Sequence, residues 1–294
     1  MPACLVCATT PSPMASLIRF SIPVSWQHHA RTLRFAGEHG LGVEIAAFSC
    51  GDVLEDESLR DVMTRTLETE LKGFRGERSY HGAFMDLPLH SQDRAVAAVA
   101  RTRVRRDLET ASLLGCRTVV FHPGFNPLIH ERRYLERFLD THGDFWPEMA
   151  SAWPRSLICL ENQWDPGPEP LRDLMLRIQH PQVRVCWDAA HAHAHSEAPP
   201  EQWLQGLCPF IAHRHFSDNH GDRDSHLPLG EGGVPWGRIL QHLRHQGGGG
   251  TTVLEMRSED AIRRSLLFWS ALESRAAAPP HAKPLQLRTL PVPL

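Results

Sequence analysis

The feature that most constrains this chain is a rhythm. Short β-rich runs alternate with longer helical patterns from residue 17 to residue 275. The strand candidates are Ile18–Ile22, Val43–Phe48, Ser79–Phe84, Arg117–His122, Leu157–Glu161, Val183–Asp188, Ile211–His215 and Thr251–Glu255. Several are nearly continuous apolar runs, such as Val119, Val120 and Phe121, or Leu157, Ile158, Cys159 and Leu160. Strands buried on both faces of a parallel sheet have this composition. Helical spacing is predicted over Asp61–Gly73, Gln92–Leu114, Glu131–Ser151, Glu169–Gln179 and Asp260–Arg275, with Gly115 placed to stop the second of these. Eight such units in a chain of 294 residues predict a single-domain α/β fold, the (β/α)8 TIM barrel. The competitor is an open doubly wound sheet. No Gly-x-Gly-x-x-Gly follows the first strand, which weakens it.

The flanks lack this rhythm. Residues 1–16 read as a flexible N-terminal extension, residues 276–294 as a disordered tail, and Gly247–Gly250 as a flexible loop. A net charge of -3 gives no bulk positive field to recruit nucleic acid or an anionic membrane. No run reaches the ~20 apolar residues of a membrane span, and the first residues lack the basic start and long apolar core of a secretion signal. The expected location is the cytoplasm, with no membrane partner. Cys116, Cys159, Cys186 and Cys208 lie in or beside apolar runs and read as small buried hydrophobes. Cys4 and Cys7 form a lone Cys-x-x-Cys, for which a chance pair is the default.

The unusual number is 19 histidines. Imidazole is mostly neutral near pH 7 and is the commonest metal ligand, so position decides what these residues do. In a barrel, function gathers at the C-terminal ends of the strands. There this chain places His81, His122, Glu161, Asp188 with His191, His215, the loop pair Asp224 and His226, and Glu255. Clustered carboxylates at the end of apolar strands repel one another, and burial penalises their charge. A divalent cation resolves both problems, and mixed nitrogen and oxygen donors suit Zn²⁺ or Mn²⁺ better than Mg²⁺ or Ca²⁺. Nine ligands exceed the needs of one ion and match two or three. Any one buried histidine is more often a hydrogen-bonded core residue, and any one strand-end carboxylate a helix cap. The coincidence at one end of the barrel carries the metal reading. His193 and His195 read as loop residues beyond it, His213 lies two residues deeper, and His28, His29, His242 and His245 fall on helical stretches.

These motifs carry a resemblance. Asp224, Ser225 and His226 are followed by Leu229, Gly230, Glu231 and Gly232; Trp187 and Asp188 precede His191; Leu160 precedes Glu161 and Asn162. Over roughly residues 17–275 the chain resembles the xylose isomerase-like barrel superfamily, which includes endonuclease IV and the sugar-phosphate isomerases and epimerases. Resemblance to the endonuclease IV branch implies two or three Zn²⁺ ions. His81, His122 and Glu161 would hold one; Glu161, Asp188, His215 and Glu255 a second; His191, Asp224 and His226 the third. Resemblance to the isomerases and epimerases implies one Mn²⁺, Mg²⁺ or Co²⁺ on Glu161, Asp188, His215 and Glu255.

Two activities follow from the resemblance. The first is phosphoester hydrolysis at a multinuclear zinc site, and all nine positions being filled favours it. The alternative is sugar or sugar-phosphate isomerisation or epimerisation, with Glu161 and Glu255 shuttling a proton at carbon while His191 touches the substrate. The predicted partner is a small phosphorylated or sugar-like molecule. Duplex DNA is disfavoured because the loop after the second strand carries Asp52, Glu55, Asp56 and Glu57, and because the endonuclease tyrosine is matched here by Phe84. Arg223 and Asn162 are the expected substrate-binding residues, with Arg132 and Arg133 as further cations near the mouth.

Overall fold

The computed structural model describes residues 18–85, 87–246 and 250–277. Eight strands close into a parallel barrel in sequence order: β1 (Arg19–Val24), β2 (Gly42–Ile45), β3 (Arg78–His81), β4 (Thr118–Phe121), β5 (Leu157–Glu161), β6 (Val183–Asp188), β7 (Ile211–Phe216) and β8 (Thr251–Leu254). Closure is made by β1, which pairs with β2 through Ser21 opposite Gly42 and with β8 through Ser21 opposite Val253. An open sheet has no such pairing, so the doubly wound alternative is excluded. The two ends of the chain, the Cys4/Cys7 pair and most of the glycine run lie outside the described residues.

The outer ring consists of α1 (His29–His39), α2 (Glu57–Leu71), α3 (Arg94–Leu113), α4 (Arg132–Ala152), α5 (Glu169–Ile178), α6 (Ala189–His195), α7 (Pro200–Leu207), α8 (Trp236–Gln246) and α9 (Glu259–Ala277). Asp56 starts α2 by accepting the Leu59 amide at 2.9 Å, and Asp93 starts α3 through the Ala95 amide at 2.8 Å. Gly40, in the left-handed region at φ 65°, turns the chain from α1 into β2. The layer between strands and helices is filled by large side chains, with Trp146, Trp187, Trp203 and Trp269 almost fully buried. Burial on this scale contributes about 25 cal/mol per Å² of apolar surface removed from water.

Inside the barrel the strand period of two sets up the site. One inward layer contains Ser79, Val120, Cys159, Cys186, His213 and Val253, all buried. Two residues further along each strand direction stand His81, His122, Glu161, Asp188, His215 and Glu255. Each chemical group is therefore placed by a packed residue directly beneath it. Asp188 also acts on the backbone. As the last residue of β6 it caps α6, accepting the His191 amide at 2.6 Å. His193 and His195 lie on this short helix and not in a loop.

Candidate metal centre

The nine side chains form one connected cluster at the barrel mouth. Glu161 is its hub: its carboxylate lies 3.0 Å from His122 Nε2, 3.4 Å from His81 Nε2, 3.4 Å from His191 Nδ1 and 3.1 Å from His215 Nδ1. Glu255 Oε1 lies 3.1 Å from the same His215 Nδ1. His191 reaches Asp188 at 3.7 Å and Asp224 at 3.5 Å. Asp224 meets His226 Nε2 at 2.9 Å, and His226 Nδ1 closes the circuit 4.0 Å from Glu255. Two groups, His81 with His122 and Glu161, and Glu161 with Asp188 and His191, each hold their donor atoms within 4.8 Å of one another.

Hydrogen bonds settle which ring nitrogens carry protons at two of these histidines. His81 Nδ1 is 2.9 Å from the Gly82 carbonyl, and His191 Nδ1 is 2.9 Å from the Asn162 carbonyl. A carbonyl only accepts, so Nδ1–H donates in both. In the neutral ring Nε2 is then a bare lone pair, aimed at Glu161 in one case and at Asp224 in the other. Fixing one ring nitrogen so that the other faces an ion is how proteins orient metal-binding histidines.

The electrostatics show a cluster short of positive charge. Burial pushes Asp188 up to about 7; His191 opposes this, while Glu255 and Glu161 reinforce it. Burial also opposes the charge on Glu161, but His215 and His122 outweigh it and hold that carboxyl well below the usual range. Burial disfavours charged His191, yet Asp188, Asp224 and Glu161 raise it well above an ordinary imidazole. Protons thus fill the lone pairs that a cation would take. His122 Nδ1, Glu161 Oε2, Asp188 Oδ2, Asp224 Oδ1 and His226 Nδ1 are buried without a hydrogen bond. Such orphans are rare in folded proteins, and a bound ion is one of the few things that explains several at one place. The donor set and the orphaned atoms fit a divalent metal.

Asn162 departs from its reading in the sequence, while Arg223 and His213 lie where that reading put them. The Asn162 amide does not face the mouth: it accepts the Asp188 amide at 2.8 Å and donates to the Asp188 carbonyl at 2.9 Å, fastening β5 to β6. Arg223 is exposed in the loop after β7. His213 is fully buried and pairs with a residue the sequence did not single out, Glu44 on β2. Glu44 also accepts from Ser79 Oγ at 2.8 Å and lies 3.0 Å from His215 Nε2. Its only sequence signal is a lone carboxylate inside a buried parallel strand. The acidity of the second loop is also partly neutralised, since Glu57 pairs with Arg106 at 2.6 Å and Glu55 approaches Arg103 at 4.0 Å.

The loop carrying Asp224 and His226 is fastened by Asp218. Its buried carboxylate accepts four N–H groups: those of Asn219 and Val234 at 3.0 Å, and those of Gly230 and the Trp236 indole at 2.8 Å. This explains the Leu229–Gly232 motif, because a Cβ at Gly232 would collide with the Asp218 carboxylate and the Asn219 backbone. Two bonds of 2.8 Å pair Asp218 with Leu227, next to His226, which is held at φ 48°. A non-glycine residue in that region is uncommon and persists only where its surroundings impose it.

The closed barrel and its ligand-rich mouth define a (β/α)8 protein with a candidate metal centre at the catalytic end. The sequence profile described as xylose isomerase-like TIM barrel matches residues 34–272, and the chain belongs to that family. The TTHB071 protein from Thermus thermophilus, solved with ZnCl2 soaking, is 28% identical; the match covers 88% of this chain and 98% of that one at a TM-score of 0.70. A D-tagatose 3-epimerase-like protein shares the fold at 22% identity and a TM-score of 0.73, over 88% of this chain and 100% of its own. The uncharacterized protein MJ1311 of Methanocaldococcus jannaschii is 27% identical over 203 residues, which is 66% of this chain and 69% of that protein. No helix among the described residues is long and apolar enough to cross a membrane.

Proposed function

We propose that this protein is a metal-dependent isomerase or epimerase acting on a small sugar-like substrate. The observation that carries this reading is the placement of Glu161 and Glu255. They stand on different sides of the mouth, and each has an oxygen 3.1 Å from His215 Nδ1. Two carboxylates facing one another across a bound carbon can remove a proton from one face and return it to the other. The likeness to a D-tagatose 3-epimerase-like protein supports the same chemistry. Glu161, Asp188, His215 and Glu255 would hold a divalent ion, which when bound polarises adjacent carbonyl and hydroxyl oxygens of a substrate. His191, beside Asp188 and Asp224, would touch a substrate hydroxyl. The test is incubation with a panel of ketoses in D2O, followed by NMR. Deuterium should enter at the carbon next to the carbonyl, and Glu161→Gln and Glu255→Gln should each reduce this by about 10²–10⁴-fold. A panel without exchange, beside measurable phosphoester cleavage, would overturn the reading.

One observation favours a second reading, phosphoester hydrolysis at two or three Zn²⁺ ions. A single-metal epimerase has no need of His81, His122, Asp224 or His226, yet all four join the cluster at 2.9–3.5 Å. The zinc-soaked relative is consistent with it. Metal analysis separates the two: one ion per chain supports the first, two or three support the second.

A further inference from the structure

Beside the metal centre, between the ends of β1 and β8, lies a cavity of about 460 Å³. Glu255 and His226 form its inner wall, so it opens directly onto the candidate site. Its floor is apolar, made by the buried side chains of Ile22, Phe35, Met256 and Ile262. The volume falls within the range of small-molecule pockets, and an apolar floor with a few polar groups is their usual lining.

Two arginines and two glutamates line it, but only one arginine is held in an ion pair. Arg31 is already matched, with Nε 2.6 Å from Glu259 Oε1. Arg257 also lines the cavity, is exposed, and makes no hydrogen bond or ion pair among the described residues. It lies two residues beyond Glu255, in the bend that leads from β8 into α9, so both side chains line the same cavity. A substrate with its reacting carbon at Glu255 would thus present its far end to a free guanidinium. Guanidinium binds carboxylate and phosphate through paired N–H donors.

We propose that this cavity holds the distal arm of the substrate, and that Arg257 selects a negatively charged group, phosphate or carboxylate, at its end. This rests on the reading of the mouth as a sugar-acting site. It moves substrate recognition from Arg223, the cation the sequence suggests after β7, to Arg257 after β8.

The test is isothermal titration of the full-length, metal-loaded protein with D-glucose, D-glucose 6-phosphate and D-glucuronate, which differ at the carbon farthest from the carbonyl. The wild type should bind at least one anion roughly ten- to hundred-fold more tightly than glucose, as expected for a charge-assisted contact. Which anion gains identifies phosphate or carboxylate as the natural group. Arg257→Gln should bring that anion to the level of glucose and leave glucose unchanged. Three results would overturn the proposal: no anion preference in the wild type, a preference that survives in Arg257→Gln and so belongs to the metals, or no binding of any of the three sugars. Failure of the epimerase reading is distinguishable. An Arg257-dependent preference without deuterium exchange on any ketose sinks that reading and leaves the anion subsite standing.

Discussion

Glu44 Oε1 lies 3.0 Å from His215 Nε2, on the side of the imidazole away from Glu161 and Glu255. Both residues are almost completely buried. If Nδ1 faces a metal, the proton must sit on Nε2, and the negative charge of Glu44 at 3.0 Å favours it there. Removing such an outer carboxylate typically weakens metal binding by about 10–100-fold. Glu44→Gln keeps the volume and loses the charge, so it should lower affinity in this range, measured by competition with a chromophoric chelator. Nitrogen-15 NMR of the metal-loaded protein should show the His215 Nε2–H tautomer weakened. Unchanged affinity together with an unchanged tautomer would show that Glu44 only fills the barrel.

The proposed reaction predicts a sharp contrast between two substitutions at the mouth. Glu161→Gln removes the hub carboxylate and should reduce deuterium exchange by about 10²–10⁴-fold, the usual worth of a general base. His226→Ala removes a group that contacts Asp224 and Glu255 at the outer edge. It should keep exchange within about tenfold of wild type, roughly 1.4 kcal/mol of barrier. If His226→Ala were as damaging as Glu161→Gln, the outer residues would belong to the reaction itself, as the hydrolytic reading requires.

The parts of this molecule legible in its sequence are those that repeat. Apolar runs such as Val119–Phe121 mark strands because both faces are buried, and strand-end groups such as His122 and Glu161 converge because the barrel aims all eight ends one way. What escapes depends on partners distant in the chain. Glu44 looks like any polar residue in Gly42–Ile45 until closure sets it against His213, 169 positions away. Asn162 next to Glu161 suggests a substrate contact, but pairing of β5 with β6 directs its amide to the Asp188 backbone. The cavity holding Arg257 exists only because β8 returns to β1. Helices α6 and α7 escaped because a seven-residue and an eight-residue segment are too short to show a period.

Asp218 provides a test of how the outer loop is held. Asparagine there would turn an NH2 group toward at least two of the four N–H donors now bound by the carboxylate. Each buried donor left unmatched costs about 1–3 kcal/mol, so Asp218→Asn should destabilise the protein by about 3 kcal/mol or more. Because the same knot anchors Leu227 beside His226, the variant should also loosen His226 and Asp224 and bind metal more weakly. Urea denaturation and metal analysis read the two effects. Stability within about 1 kcal/mol of wild type would mean that the loop is secured elsewhere.

Acid sensitivity should come from a buried chain that takes no part in the mouth. The Trp146 indole N–H donates to His142 Nδ1 at 2.9 Å. His142 Nε2–H must therefore donate to His90 Nδ1 at 3.2 Å, and His90 Nε2–H to the Tyr134 hydroxyl oxygen at 3.1 Å. Every link needs a neutral imidazole, since an added proton would set N–H against N–H. Burial, reinforced by Arg137, lowers His90 to about 4, and burial with His90 and Arg101 holds His142 well below its ordinary value. The unfolded chain titrates near 6.5. Above that pH both states are neutral and stability is undiminished. As pH falls from about 6.5 toward 4, the unfolded state binds protons that the folded state refuses, so stability declines. For His90 alone the loss approaches about 3 kcal/mol at the bottom of that window. Denaturation at pH 7.5, 6.0 and 4.5 should show a steeper loss in the wild type than in His90→Gln, which keeps a polar side chain but cannot titrate. Equal slopes would place the acid sensitivity in other groups.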